Sequence, residues 1–338
     1  MKNRFRDLLQ GRAAFFVRLL GTLLALILLV YLLSQQGWDE IVAAIRSIPF
    51  WIFVLAMILM FVSRFAVWAR WHVLLRASNL PISPGESLRI TFAGLFASNF
   101  LPTTIGGDVI RLAGVLQLNI DSVVGAASLI VDRLVGMAGM AMAVPFGLPS
   151  FLRADLLANP SQSLEDLGWV EGYLLRDAPA FLAVLPLGRW WRVALEKSRR
   201  ILRRLLDALS LWTGQPRSLL FSLGLTWVHM LCFFAILYLL FKGMGEEISF
   251  WLVAGLYSLV YFITLMPFSI NGYGIQELSL TFIFSAVGGV SLQSSLTAAL
   301  LLRTLMMFAS LPGAFFVPAL LPGTHNQAET TPQAGSGE

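Results

Sequence analysis

The residues that could do chemistry stand out because of where they lie. Asp132 and Arg133 sit near the middle of an apolar run, and Arg303 sits about ten residues into another. Arg64 lies deep in a third, and Glu277 opens a helix directly after a Pro/Gly-rich break. An ionised side chain at mid-bilayer costs roughly 2.5–3.5 kcal/mol on the insertion scale unless it faces protein or water. Such residues pair to fold the bundle, or they hold a ligand. Arginines outnumber carboxylates in this set, which leaves positive charge in search of an anion. A guanidinium suits the geometry of phosphate.

A second signal is an internal echo. The chain reads Leu101-Pro102-Thr103-Thr104-Ile105-Gly106-Gly107-Asp108 at one break and Met266-Pro267-Phe268-Ser269-Ile270-Asn271-Gly272-Tyr273 at another. Each break follows an apolar helix and leads to a long span with a central arginine, Arg133 in the first and Arg303 in the second. Proline cannot continue a ladder of backbone hydrogen bonds. Glycine permits left-handed backbone or close approach. Irregular backbone at membrane depth survives only where protein or water satisfies it. Matched interruptions of this kind point to a duplicated, transporter-like core. The half-helix after each break would aim its N–H groups and positive dipole end at an anion. Asp108 and Arg111 lie just after the first break, where Asp108 serves either as a cap or as part of the site.

These residues need a membrane around them. The chain has 338 residues, 57% apolar and only 13% charged. Soluble domains run nearer 45–50% and 25%. A soluble enzyme, a nucleic-acid-binding domain and a disordered chain are therefore excluded. The net charge of +5 is read as topology, because Lys and Arg collect on the cytoplasmic side. Cys232 is the single cysteine, and His72, His229 and His325 are far apart. No metal or other cofactor is expected, and no catalytic set is discernible.

The pattern predicts an all-α polytopic membrane bundle of about seven to eight helices, with two broken, re-entrant helices in a duplicated core. A basic cytoplasmic N-terminus (1–12) precedes the first membrane half (13–147), which is interrupted at 102–108. Its apolar runs are 13–33, 50–69, 88–101, 106–118 and 122–147. Arg70 and Arg76, with Trp68 and Trp71, read as an inward-facing helix end with an interfacial belt. A polar connector (148–217) follows, with an acidic first part and a basic second part. The second part carries Arg189, Arg192, Lys197, Arg199, Arg200, Arg203 and Arg204. A basic amphipathic helix over 189–209, lying on anionic headgroups, fits it; so does a solvated basic loop. The second half (218–321) holds runs at 219–241, 248–266, 274–290 and 294–321 and a break at 267–274. Residues 322–338 read as a disordered tail. Gly136 and Gly139 read as helix-packing positions.

The segments LPTTIGGDVIRL (101–112), SLIVDRLVGM (128–137), MPFSINGYGIQEL (266–278) and LLLRTL (301–306) together resemble the lysylphosphatidylglycerol synthase transmembrane-region family, also described as flippase-like. The resemblance covers most of residues 10–321. It implies a multi-pass protein of a bacterial or archaeal cytoplasmic membrane, with its N-terminus inside. In the best-understood branch of the family this region moves aminoacylated phosphatidylglycerol between leaflets. By position the resemblance marks Gly106, Gly107 and Asp108, then Asp132 and Arg133, then Asn271, Gly272 and Glu277, then Arg303. Residues 148–188 depart from it, being polar where relatives place an apolar hairpin. No counterpart of the full synthase's cytosolic aminoacyl-transferase domain is expected in these residues, so an enzyme is not the leading expectation.

The reading is a lipid translocase whose substrate site comprises Gly106, Gly107, Asp108, Arg111, Asp132, Arg133, Asn271, Gly272, Glu277 and Arg303, with Arg64 as a further member. Arg133 and Arg303 would hold a lipid phosphate, with Asp132 and Glu277 balancing them or contacting an ammonium on the headgroup. The expected partner is a membrane lipid with an anionic, zwitterionic or aminoacylated headgroup. Nucleic acid is not expected, whereas a separate cytosolic enzyme and self-association stay open. Two alternatives remain: an intramembrane transferase acting on a lipid phosphate with Asp132 or Glu277 as base, and a scaffold that docks a cytosolic enzyme.

Overall fold

The computed structural model describes residues 38–78, 80–100, 106–118, 120–153, 212, 214–265 and 274–318. Every regular element among them is helical. The expected helix at 13–33, the basic segment 189–209 and the tail 322–338 lie outside the described residues, as do the break residues 101–105 and 266–273.

The helices are α1 (Trp38–Ser47), α2 (Phe50–Ala77), α3 (Pro84–Phe100), α4 (Gly106–Gln117), α5 (Ser122–Ala143), α6 (Leu148–Arg153), α7 (Pro216–Gly243), α8 (Phe250–Thr264), α9 (Ile275–Ala286) and α10 (Leu292–Ser310). Among the described residues, four spans are long and apolar enough to cross a membrane: Phe50–Ala77, Ser122–Phe146, Pro216–Gly243 and Leu292–Phe315. The chain is thus a polytopic helical bundle. Helix starts follow capping chemistry. Asp121 accepts hydrogen bonds from the N–H groups of Val123 (2.7 Å) and Val124 (3.2 Å) ahead of α5, and Ser249 and Ser291 cap α8 and α10 in the same way. Each satisfies a backbone donor that has no partner within its helix.

α2 packs most extensively against α7. Met60, Phe234, Leu237 and Phe241 are wholly buried in the core that these helices share with α8, α9 and α10. The outer face of α2 carries exposed Trp51, Val54, Ile58, Val62 and Phe65. Their spacing of three and four residues forms one helical stripe. Such a continuous apolar stripe is the surface that acyl chains cover.

α4 and α9, at twelve residues each, rise only about 18 Å, against a hydrocarbon core of ~30 Å. α4 packs against α3 and α5, and α9 packs against α8 and α10. α3 and α4 run antiparallel. A Cβ on Gly107 would stand 2.7 Å from the Gly94 carbonyl oxygen, and one on Gly114 would stand 2.7 Å from Ile90 Cγ1. Gly107 is therefore a close-approach residue. Left-handed backbone occurs instead at Gly274, with φ +78°. Gly139 fits the packing expectation, with Thr226 of α7 filling the space a Cβ would take. Gly136 does something else: a Cβ there would stand 3.2 Å from Arg70 Nη1, so its hydrogen leaves room for a guanidinium.

Candidate functional site

Two groups of ionised residues lie inside the bundle. The first is centred on Asp132, which is 2% exposed. Its Oδ1 accepts a hydrogen bond from Arg70 Nε at 2.7 Å, and its Oδ2 accepts from Arg111 Nη1 and Nη2 at 3.1 Å each. Arg70 Nη1 also donates to Thr226 Oγ1 on α7 at 3.2 Å. Arg111 lies over the Trp71 ring, 4.2 Å from its centroid. That indole is wholly buried and donates to Ser128 Oγ at 3.3 Å. One carboxylate thus ties together α2, α4 and α5.

Two expectations are corrected here. Arg70 and Trp71 do not form an interfacial belt. α2 continues to Ala77, past the expected end at 69, and turns both side chains inward. Nor does Asp132 balance Arg133. Successive helical residues point about 100° apart, so Asp132 faces the core while the Arg133 side chain is 55% exposed. Arg133 pairs instead with Asp108 in the first turn of α4: its Nε donates to Asp108 Oδ2 at 2.7 Å, and its Nη2 donates to the same oxygen. Asp108 Oδ1 lies 3.7 Å from Arg111 Nη1. Asp108 therefore serves arginines, and it links the exposed Arg133 to the buried cluster.

The second group is smaller. Arg303 Nε donates to Glu277 Oε1 at 2.5 Å, and Arg303 Nη2 donates to Gln276 Oε1 at 3.0 Å. Both members of the ion pair are buried. Glu277 Oε2 accepts from the Gly274 N–H at 2.8 Å, so the same carboxylate caps α9. Here Glu277 does balance Arg303. Asn271 and Gly272 lie outside the described residues. Gly106 and Gly107 open α4 beside Asp108.

Arg64 belongs to neither group. It is 5% exposed, among the described residues its Nη2 reaches only the Met60 sulfur at 3.4 Å, and its guanidinium lies 5.5 Å from the Phe233 ring centroid. It borders a cavity of about 220 Å³ together with His229, Tyr257, Tyr261 and Gln276. Among these residues, sequence reasoning missed Arg70, His229 and the two tyrosines. A usable signal for Arg70 was the isolated Asp132, which as a buried acid needs a cation from another helix.

The bundle, its four spanning helices and its interior ion pairs define a multi-pass membrane protein with a charged interior. The chain belongs to the lysylphosphatidylglycerol synthase TM region family, whose model matches residues 18–313. None of the curated proteins compared with the chain matches it.

Proposed function

We propose that the chain is a lipid translocase of the cytoplasmic membrane, with its N-terminus inside, which binds a phospholipid headgroup between two re-entrant hairpins of a duplicated core. The observation that carries this reading is the charge balance. Arg64, Arg70, Arg111, Arg133 and Arg303 stand in the bundle against Asp108, Asp132 and Glu277. Among the described residues this set carries a net excess of two positive charges, and a lipid phosphate supplies the opposite charge. The duplication is supported by the paired geometry. In each half, an acid in the first turn of a twelve-residue helix bonds an arginine in the next long helix, 25 residues on in the first and 26 in the second.

Arg133 is the entry contact. It lies about halfway along a spanning helix with its side chain open to the surroundings. When a phosphate arrives, Arg133 can exchange Asp108 for it, because Asp108 keeps Arg111 at 3.7 Å. Neither charge is stranded, which is the costly outcome in a dry interior. The same helix lines an apolar groove of about 390 Å³ with Leu134, Val135 and Leu220, which suits an acyl chain. Arg303 and Glu277 fix the second half-helix against its neighbour. Asp132 makes a poor general base, since both its oxygens are engaged by arginines, and this weighs against the transferase alternative.

The test is a reconstituted vesicle assay with a fluorescent anionic phospholipid. Arg133→Ala should fold and slow translocation at least tenfold. Transfer at the wild-type rate by folded Arg133→Ala and Arg303→Ala variants would overturn the assignment.

A further inference from the structure

We propose that the cavity bordered by Arg64 is an oxyanion-binding site at mid-membrane, and that on the lipid reading its occupant is the phosphate of the headgroup in transit. The proposal rests on that reading only for the source of the phosphate. The chemistry of the site stands on its own geometry.

Arg64 is the fifteenth residue of the 28-residue α2, so it lies at the centre of a spanning helix. It cannot deprotonate at physiological pH. No carboxylate lies within 4 Å of it among the described residues, and its Nε is buried without a hydrogen-bond partner. Buried cations are paired, or they bind something. A thioether and a ring face do not replace a counter-ion.

The rest of the lining repeats the message. Among the described residues, no acid contributes to it. The hydroxyls of Tyr257 and Tyr261 border it and have no hydrogen-bond partner among the described residues. Gln276 gives its Oε1 to Arg303, which leaves its amide N–H groups as donors. His229 shares a 2.6 Å hydrogen bond between its Nδ1 and Ser63 Oγ, which fixes the ring and directs Nε2 elsewhere. Phe233 and other apolar side chains complete the walls. A cavity of about 220 Å³ is far larger than the ~30 Å³ share of one water. One full positive charge, several neutral donors and no acid make a site for a tetrahedral oxyanion. They repel a free ammonium ion.

The position also fits a route. Gln276 belongs to the cavity and to the Arg303 group, while Thr264 and Gln276 border it from either side of the second break. A phosphate leaving Arg133 would find its next fixed cation here.

The experiment is calorimetric titration of the purified full-length protein in detergent micelles. The probes are dihexanoylphosphatidylglycerol, inorganic phosphate and dihexanoylglycerol. Wild type should bind the phospholipid and not the glycerol lipid. Arg64→Gln should weaken that binding at least tenfold, Arg64→Lys should restore most of it, and the exposed Arg217→Gln should leave it unchanged. The double variant Tyr257→Phe/Tyr261→Phe keeps both rings and removes two donors, and it should weaken binding several-fold. With Arg64→Lys it carries the test if Arg64→Gln does not elute as a folded species. If inorganic phosphate alone binds, and Arg64→Gln abolishes that binding, the oxyanion site stands and the lipid reading falls. If Arg64→Gln binds the phospholipid as wild type does while Arg133→Gln does not, the site at Arg64 falls and the lipid reading stands. Equal binding of the glycerol lipid, or no binding of any probe by wild type, overturns the site.

Discussion

The two halves of the bundle solve the same problem differently. Each places an acid in the first turn of a short helix and an arginine on the following span. In the second half one carboxylate does everything: Glu277 caps α9 through the Gly274 N–H and holds Arg303, and both partners are buried. In the first half the work is divided. Asp132 takes the structural load of Arg70 and Arg111, which frees Asp108 to meet Arg133 at a partly exposed position. The first pair, half-exposed, can open at less cost than the second, which is buried. An ion pair that opens needs a reserve partner for the charge left behind, and Arg111 is that reserve.

The largest effect should come from breaking the shared acid. Asp132→Asn takes the carboxylate from buried Arg70 and leaves Arg111 only its 3.7 Å contact with Asp108. Breaking a buried pair by removing one partner costs about 3–5 kcal/mol, and here two arginines lose the same partner. Thermal unfolding in detergent should show a loss of that order or no stable fold. A variant with wild-type stability would mean that water, rather than Asp132, already satisfies Arg70 and Arg111.

Next comes the contrast itself. Glu277→Gln removes a buried charge partner of Arg303 and should destabilise by about 3 kcal/mol. Asp108→Asn should cost less, about 1 kcal/mol, because Arg133 is half-exposed and a screened pair contributes little. The order should reverse in a translocation assay, where Asp108→Asn acts on the moving pair. Equal stability losses in the two variants would erase the distinction between a mobile and a fixed half.

The sequence showed the spans because apolar runs of that length have few alternatives: α5 and α7 begin and end near the expected positions, while α2 and α10 begin near theirs but α2 runs on to Ala77 and α10 stops at Ser310. It also showed that Asp132, Arg133, Glu277 and Arg303 were out of place. It did not show their partners. Arg70 looked topological because a basic residue near a helix end usually is, and only the packing of α2 against α5 and α7 reveals that it turns inward. Asp132 and Arg133 looked like a pair because they are adjacent, although helical geometry separates their directions. A 3.6-residue period puts neighbours on different faces, so adjacency along a helix does not make a pair. The cavity at Arg64 draws on six helices, and no local pattern encodes such a convergence.

The smallest effect isolates what burial adds to a capping acid. Glu86, in the first turn of α3, makes the same back-bond as Glu277: its Oε2 accepts from the Ser83 N–H at 2.8 Å, and its own N–H donates to Ser83 Oγ at 3.2 Å. Glu86 lies near solvent and holds no arginine. Its hydrogen bonds with Ser83, the hydroxyl first and the backbone second, hold its carboxyl below the ordinary value of 4.5. A depressed carboxylate pKa stabilises the fold fully above the unfolded-state value, and that contribution is lost as pH falls through the folded-state value. Glu86→Gln should therefore cost under about 1 kcal/mol at neutral pH, a cap and helix-dipole contribution screened by water. The gap from wild type should close in acid below pH ~4. Unfolding curves across pH for Glu86→Gln and Glu277→Gln then separate the two acids. A Glu277→Gln loss no larger than the Glu86→Gln loss would make Glu277 a cap alone, with no share in neutralising Arg303.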